Sequence, residues 1–110
     1  MHELGIALEI AERAVARAGD ARVARIVVEI GALVAVLPDA LRFAWDAVIE
    51  DSTLAGTTLE IVEIAGRGRC RACALEIALA RPFGRCGCGN TDLELIAGEQ
   101  LQIRSVEVHA

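Results

Sequence analysis

All four cysteines of the chain fall in one short stretch, as Cys70-Arg-Ala-Cys73, twelve residues, then Cys86-Gly-Cys88. Two close pairs separated by a loop are what a tetrahedral metal site needs. Each pair supplies two thiolates from one turn, and the loop returns to bring the pairs together. Soft thiolates in a reducing compartment favour Zn²⁺. A redox dithiol and four unligated thiols are the competing readings. The second pair is the unusual one, because Cys-x-Cys is a tighter chelate than Cys-x-x-Cys. Gly87 and Gly89 flank Cys88 and suit a tight turn there.

Around this stretch the chain offers limited material. At 110 residues it makes one domain, or one domain carrying a small second module. A hydrophobic share of 55% against 25% charged residues is that of a folded chain. Phe43, Trp45 and Phe83 are its aromatics, so the core is built from Ala, Val, Leu and Ile. The net charge of −5 argues against a general nucleic-acid binder. Residues 66–89 depart from that balance. Arg67, Arg69, Arg71, Arg81 and Arg85 face Glu76 alone, a local +4 that leaves −9 for the remainder. Such arginines form either a solvated face or a docking surface for an acidic partner. No apolar run approaches the ~18–20 residues of a membrane span. Charges at Glu3, Glu9, Glu12, Arg13 and Arg17 interrupt any signal-peptide core. A cytoplasmic location with reduced cysteines is the expectation.

Residues 4–18 carry Leu4, Ala7, Leu8, Ala11, Val15 and Ala18 at helical spacing, which predicts an amphipathic helix stopped at Gly19. Residues 22–30 alternate as a strand, with Ala24, Ile26, Val28 and Ile30 inward. The apolar loop 32–37 is expected to pack. Pro38 and Asp39 suit the start of a second helix, with Leu41, Trp45 and Val48 on one face. Residues 57–65 alternate as a second strand. Leu75–Ala80 and Leu93–Ile96 read as short strands of the cysteine module, and Leu101–Val108 as a final strand whose inward phase switches near Ser105. The fold class predicted is α+β: two helices on a small three-stranded sheet, with an inserted zinc-ribbon-like module. Residues 1–65 and 98–110 form the outer domain and 66–97 the insertion, with Gly66-Arg-Gly68 and Ala97-Gly98 read as hinges.

Few residues outside the cysteines carry chemistry. No nucleophile triad and no phosphate-cradling glycine loop is present. A four-thiolate zinc has no open coordination position, which argues against an enzyme. His109 reads as part of a solvated tail. His2 is different. The Met1 amine, the His2 amide and the His2 imidazole offer three nitrogens in sequence, closing a five- and a six-membered ring on one ion. With the amide deprotonated, such a set suits planar Ni(II) or Cu(II), and Glu3 can add an amide or a carboxylate. The commoner fate of such a residue is a solvated terminus.

The start Met1-His2-Glu3, then Val28-Glu29-Ile30-Gly31, then Val36-x-Pro38-x-x-Leu41-x-Phe43, recur in one family. So do Gly56-x-x-Leu59, the four cysteines and the closing Leu101-Gln102-Ile103-Arg104. Together they resemble the HypA/HybF nickel metallochaperones of hydrogenase maturation, over most of the chain. The resemblance implies nickel held at the amino terminus, with His2 as the essential side-chain ligand and Met1 and Glu3 assisting. It implies structural zinc in Cys70, Cys73, Cys86 and Cys88. It also implies a HypB-type GTPase partner, delivery to the hydrogenase large subunit or the urease machinery, and a weak homodimer. A zinc-ribbon docking or nucleic-acid module without nickel is the alternative. The family's second pair is usually Cys-x-x-Cys, so Cys86-Gly87-Cys88 is one residue short. The expectation is a shorter knuckle that still binds zinc.

Overall fold

The computed structural model describes residues 2–110. Its elements run α1 (His2–Ala18), β1 (Val23–Gly31), α2 (Pro38–Ile49), β2 (Thr58–Ile64), β3 (Gly66–Cys70), β4 (Glu76–Leu79), β5 (Leu93–Ala97) and β6 (Leu101–Val108). They make two three-stranded sheets, ordered β2-β1-β6 and β4-β3-β5. The α+β class expected from the sequence is what forms. Two compact units result. The first takes in the chain up to Val28, Val36–Val62 and Gln102–Ala110; the second takes in Glu29–Ala35 and Glu63–Leu101. Sequence alone puts the cuts at 65/66 and 97/98.

In the first unit, α1 packs against α2. The Glu9–Arg13 pair spans one turn of α1 at 2.8 Å. The helix ends where Gly19 turns to φ +60° and donates its N–H to the Val15 carbonyl at 3.0 Å. Its buried face is not the one the leucines suggest. Glu3, Ala7, Ile10 and Ala14 are buried, whereas Leu4, Leu8 and Val15 are 51%, 48% and 43% exposed. Ala7 and Ala14 are wholly covered, so the small side chains face the core and let the helix approach closely. The larger leucines are displaced to the flank.

Strand β1 is central in its sheet and is buried more continuously than a one-sided strand. Alternation along the strand turns Val27 outward, yet it is covered together with Val23, Ile26, Val28 and Ile30. Helix α2 begins at Pro38 and buries Leu41, Ala44, Trp45 and Ile49. Trp45 is core: its Nε1 donates to the Thr57 carbonyl at 3.2 Å, and the Thr57 hydroxyl donates to the Val23 carbonyl at 3.2 Å. That bridge satisfies polar groups that would otherwise be buried unpaired.

The second unit corrects the hinge reading. Gly66 and Gly68 lie in β3, the middle strand, paired antiparallel with both β4 and β5. A Cβ on Gly66 would sit 2.3 Å from the Leu79 carbonyl oxygen. Gly98, at φ +104°, lies against the Gly66 backbone, and a Cβ on Gly31 would fall 1.9 Å from the Gly98 carbonyl oxygen. Gly66 and Gly68 are therefore where backbones touch and not where the chain bends, whereas Gly98 is both a close approach and the bend that follows β5. Gly31 donates to Gln100 at 2.7 Å, Ala32 to Ile64 at 2.8 Å and Leu33 to Gly98 at 2.8 Å, so the apolar loop is tied to its neighbours. Among the described residues from Glu63 to Leu101, the buried apolar side chains are Cys70, Leu79 and Cys86. That is a very small core.

Candidate metal centre

The second sheet positions the four sulfurs. Cys70 is the last residue of β3, paired in register with Leu93 of β5. The chain then turns at once. Ala74 donates its N–H to the Cys70 carbonyl at 2.8 Å with φ at 66°, and the Cys70 N–H goes to Leu75 at 2.8 Å. Cys73 sits in that turn, its N–H 3.4 Å from the Cys70 sulfur. Cys86 and Cys88 lie in the connection from β4 to β5. There the Gly89 N–H reaches the Cys86 carbonyl at 2.8 Å, and the Cys86 N–H reaches the Asn90 carbonyl at 2.9 Å. A tight loop therefore forms with one residue fewer than a Cys-x-x-Cys knuckle.

All four Sγ atoms lie within 4.8 Å of one another. Cys70–Cys88 and Cys73–Cys86 are the close pairs, each at 3.6 Å. A tetrahedron with metal–sulfur bonds of about 2.3 Å has edges of about 3.8 Å, so the sulfurs stand almost where such a site would hold them. Cys70 and Cys86 are buried, while Cys73 and Cys88 are exposed. The first thiol of each knuckle thus points into the unit.

The electrostatics of Cys70, Cys73 and Cys88 are those of a crowded thiol cluster. Cys70 is lowered to about 6, first by the Asn90 side-chain N–H and then by the Cys73 backbone N–H. Cys73 is pushed up to about 11: the Leu75 N–H pulls it down, but the sulfurs of Cys86 and Cys70 outweigh it. Cys88 is raised too, against the Asn90 backbone N–H, by the sulfurs of Cys70 and Cys86. Cys70 takes a negative charge readily while Cys73 and Cys88 resist theirs, which is how like charges behave without a counter-ion between them.

The arginines near the cysteines are largely spent on carboxylates. Arg67 and Arg69 reach Glu76 at 3.5 and 3.0 Å, Arg69 reaches Glu94 at 3.6 Å, and Arg71 reaches Asp92 at 3.2 Å. The local +4 counted over residues 66–89 stops short of Asp92 and Glu94. With those included, a cross-strand ladder of ion pairs replaces the basic patch.

At the other end of the chain, His2 opens α1 and is exposed, its Nε2 3.6 Å from Glu3 Oε2. Met1 lies outside the described residues. The amides at the start of a helix have no intrahelical acceptor, and the Glu3 N–H turns instead to its own carboxylate. Glu3 is buried, and its Oε2 accepts the Leu37 N–H at 3.3 Å. Leu37 is the N-cap of α2 and has no capping side chain of its own, so an acid from α1 serves that helix start. Sequence reasoning misses this second role of Glu3, whose only local signal is an acid on the apolar side of the helix. It also misses Asn90, whose amide Nδ2 lies 3.4 Å from the Cys70 sulfur.

The chain matches, over residues 1–108, the family described as hydrogenase/urease nickel incorporation, metallochaperone, hypA. It is 48% identical over 108 residues to the hydrogenase maturation factor HypA of Nostoc punctiforme, covering 98% of this chain and 96% of that one. It is 37% identical over 109 residues to the HypA of Geotalea uraniireducens, covering 98% and 99%. The solution structure of the Ni metallochaperone HypA from Helicobacter pylori superposes with a TM-score of 0.68 at 22% identity, covering 100% and 99% of the two chains. A second HypA solution structure superposes at 0.62 and 20% identity, covering 96% and 92%; both likenesses are in fold. The chain belongs to the HypA family of hydrogenase and urease nickel-incorporation metallochaperones.

Proposed function

We propose that this protein is a nickel carrier that takes Ni(II) at its amino end and passes it to the large subunit of a [NiFe]-hydrogenase during maturation. The observation that carries the reading is the family match over residues 1–108, which includes the Met1-His2-Glu3 start. Nickel is cargo here. His2 supplies the side-chain ligand from an exposed first turn, and the Met1 amine and the His2 amide complete a chelate of nitrogens. Glu3 contributes through its backbone nitrogen, while its carboxylate keeps the first turn docked on the Leu37 N–H. A HypB-type GTPase is the expected partner in the hand-over.

Cys70, Cys73, Cys86 and Cys88 hold zinc in this reading. Bound zinc would offset half the charge of the crowded thiolates and cross-link the two knuckles, with no open position for catalysis. The protein is accordingly a carrier and not an enzyme. The nucleic-acid alternative loses its motive, because three of the five arginines behind it are ion-paired.

The test is titration of Ni(II) into zinc-loaded protein, wild type beside His2→Ala. Affinity should fall by about tenfold or more, equivalent to roughly 1.4 kcal/mol. Acetylating the terminal amine should weaken binding as well. Equal affinity of wild type and His2→Ala would sink the reading.

A further inference from the structure

We propose that Asn90 is a positioning residue of the cysteine centre, tying the two knuckles together and restraining the reactivity of the Cys70 thiolate. The inference rests on the reading of Cys70, Cys73, Cys86 and Cys88 as one zinc site. Asn90 Nδ2 lies 3.4 Å from Cys70 Sγ in the first knuckle and 2.9 Å from the Asp92 carbonyl oxygen. The two hydrogens of one amide serve both acceptors. The Asn90 carbonyl meanwhile receives the Cys86 N–H of the second knuckle at 2.9 Å. One residue therefore holds Cys70 by its side chain and Cys86 by its backbone. Those two sulfurs are the buried ones of the four.

The residue type fits the place. The change Asn90→Asp would turn a carboxylate, which only accepts, toward a sulfur and a carbonyl oxygen. The change Asn90→Ala would leave both acceptors without that donor. An N–H···S bond withdraws charge from a thiolate, making it a weaker nucleophile, so alkylation captures it and frees the metal more slowly.

The experiment loads wild type, Asn90→Ala, Asn90→Asp and Asp92→Ala with zinc, then adds iodoacetamide. Zinc release is followed with a colorimetric chelator, and the order of alkylation by peptide mass spectrometry. In wild type Cys70 should be modified last. In both Asn90 variants zinc should leave about tenfold faster, with Cys70 no longer last. Asp92→Ala breaks the Arg71 ion pair but keeps the carbonyl that Asn90 uses, so it should behave as wild type. In the cobalt-substituted protein, the thiolate-to-metal band should move to longer wavelength in the Asn90 variants; a purely structural role would lower the melting temperature and leave that band fixed. If Asn90→Ala does not fold, Asn90→Asp, which keeps the shape, decides. Wild-type release rate, alkylation order and band position in Asn90→Asp would overturn the proposal. Wild type that binds no zinc would instead overturn the reading beneath it.

Discussion

Glu3 is a carboxylate at 7% exposure that accepts the N–H of Leu37, 34 residues away along the chain. Burying an acid is costly unless its oxygens are satisfied, so Glu3 ties α1 to the start of α2. Glu3→Ala should lose about 1–2 kcal/mol in urea unfolding, and Glu3→Gln, which keeps an acceptor oxygen, less. The glycines separate by the same logic of surroundings. A Cβ at Gly31 would meet the Gly98 carbonyl carbon at 2.1 Å and its oxygen at 1.9 Å, both backbone. Gly31→Ala should cost about 2–3 kcal/mol, because the end of β1 and the bend at Gly98 must move apart. Gly5 sits inside α1 with nothing within 4 Å of an added Cβ. Gly5→Ala should stabilise by about 0.5–1 kcal/mol, since it removes only backbone freedom in the unfolded chain. Paired urea curves on the two variants check both signs. A loss in both would show that the face of α1 bearing Gly5 is packed.

Among the elements, the turn from β3 into Cys73 and the short Cys86–Cys88 loop define what the metal must do. Thiols bind metal as thiolates, so binding displaces protons. Cys70 is lowered to about 6 and is mostly ionised at pH 7, but Cys73, at about 11, and Cys88 still hold theirs. Zinc binding at pH 7 should therefore release at least two protons, and affinity should rise with pH between about 6 and 8. Calorimetry in buffers of different ionisation enthalpy measures that number, and release of one proton or none would contradict it. Much of this is legible in the sequence. Cysteine spacing foretells that the four sulfurs converge, because two close pairs on a returning loop bring them together, and alternating residues expose β1, β2 and β6. Strand β3 is not legible: Gly66-Arg-Gly68-Arg puts glycine on its covered side, so it carries no apolar period. The face of α1 misleads because the widest side chains are the natural choice for the core, whereas Ala7 and Ala14 fill it. The ion-pair ladder is invisible because Asp92 and Glu94 join Arg71 and Arg69 only through strand pairing.

For the molecule as a whole, the two units differ in what holds them. The first buries Ile26, Val28, Leu41 and Trp45 among its core residues. In the second, the stretch from Glu63 to Leu101 buries only Cys70, Leu79 and Cys86 among its apolar side chains, so two of those three belong to the cysteine cluster proposed to hold zinc. Its exposed ion pairs do not fill the gap, because each contributes at most about 1 kcal/mol. A metal bound only by the folded state adds about 4 kcal/mol at a thousandfold excess over its dissociation constant, a large share of what holds a unit this size. Removing zinc with a strong chelator, or disabling the site with Cys73→Ala, should therefore open residues 66–97 first. Trp45 is the single tryptophan and lies in the first unit, so its fluorescence reports that unit alone. On chelation, amide exchange through β3, β4 and β5 should accelerate while Trp45 emission stays at its native wavelength. The boundary between the units falls inside β1, at Val28/Glu29, so exchange should also rise toward Gly31. A red shift of Trp45 in step with zinc loss would mean that the metal supports the whole chain. An unchanged exchange pattern in Cys73→Ala would mean that it supports neither unit.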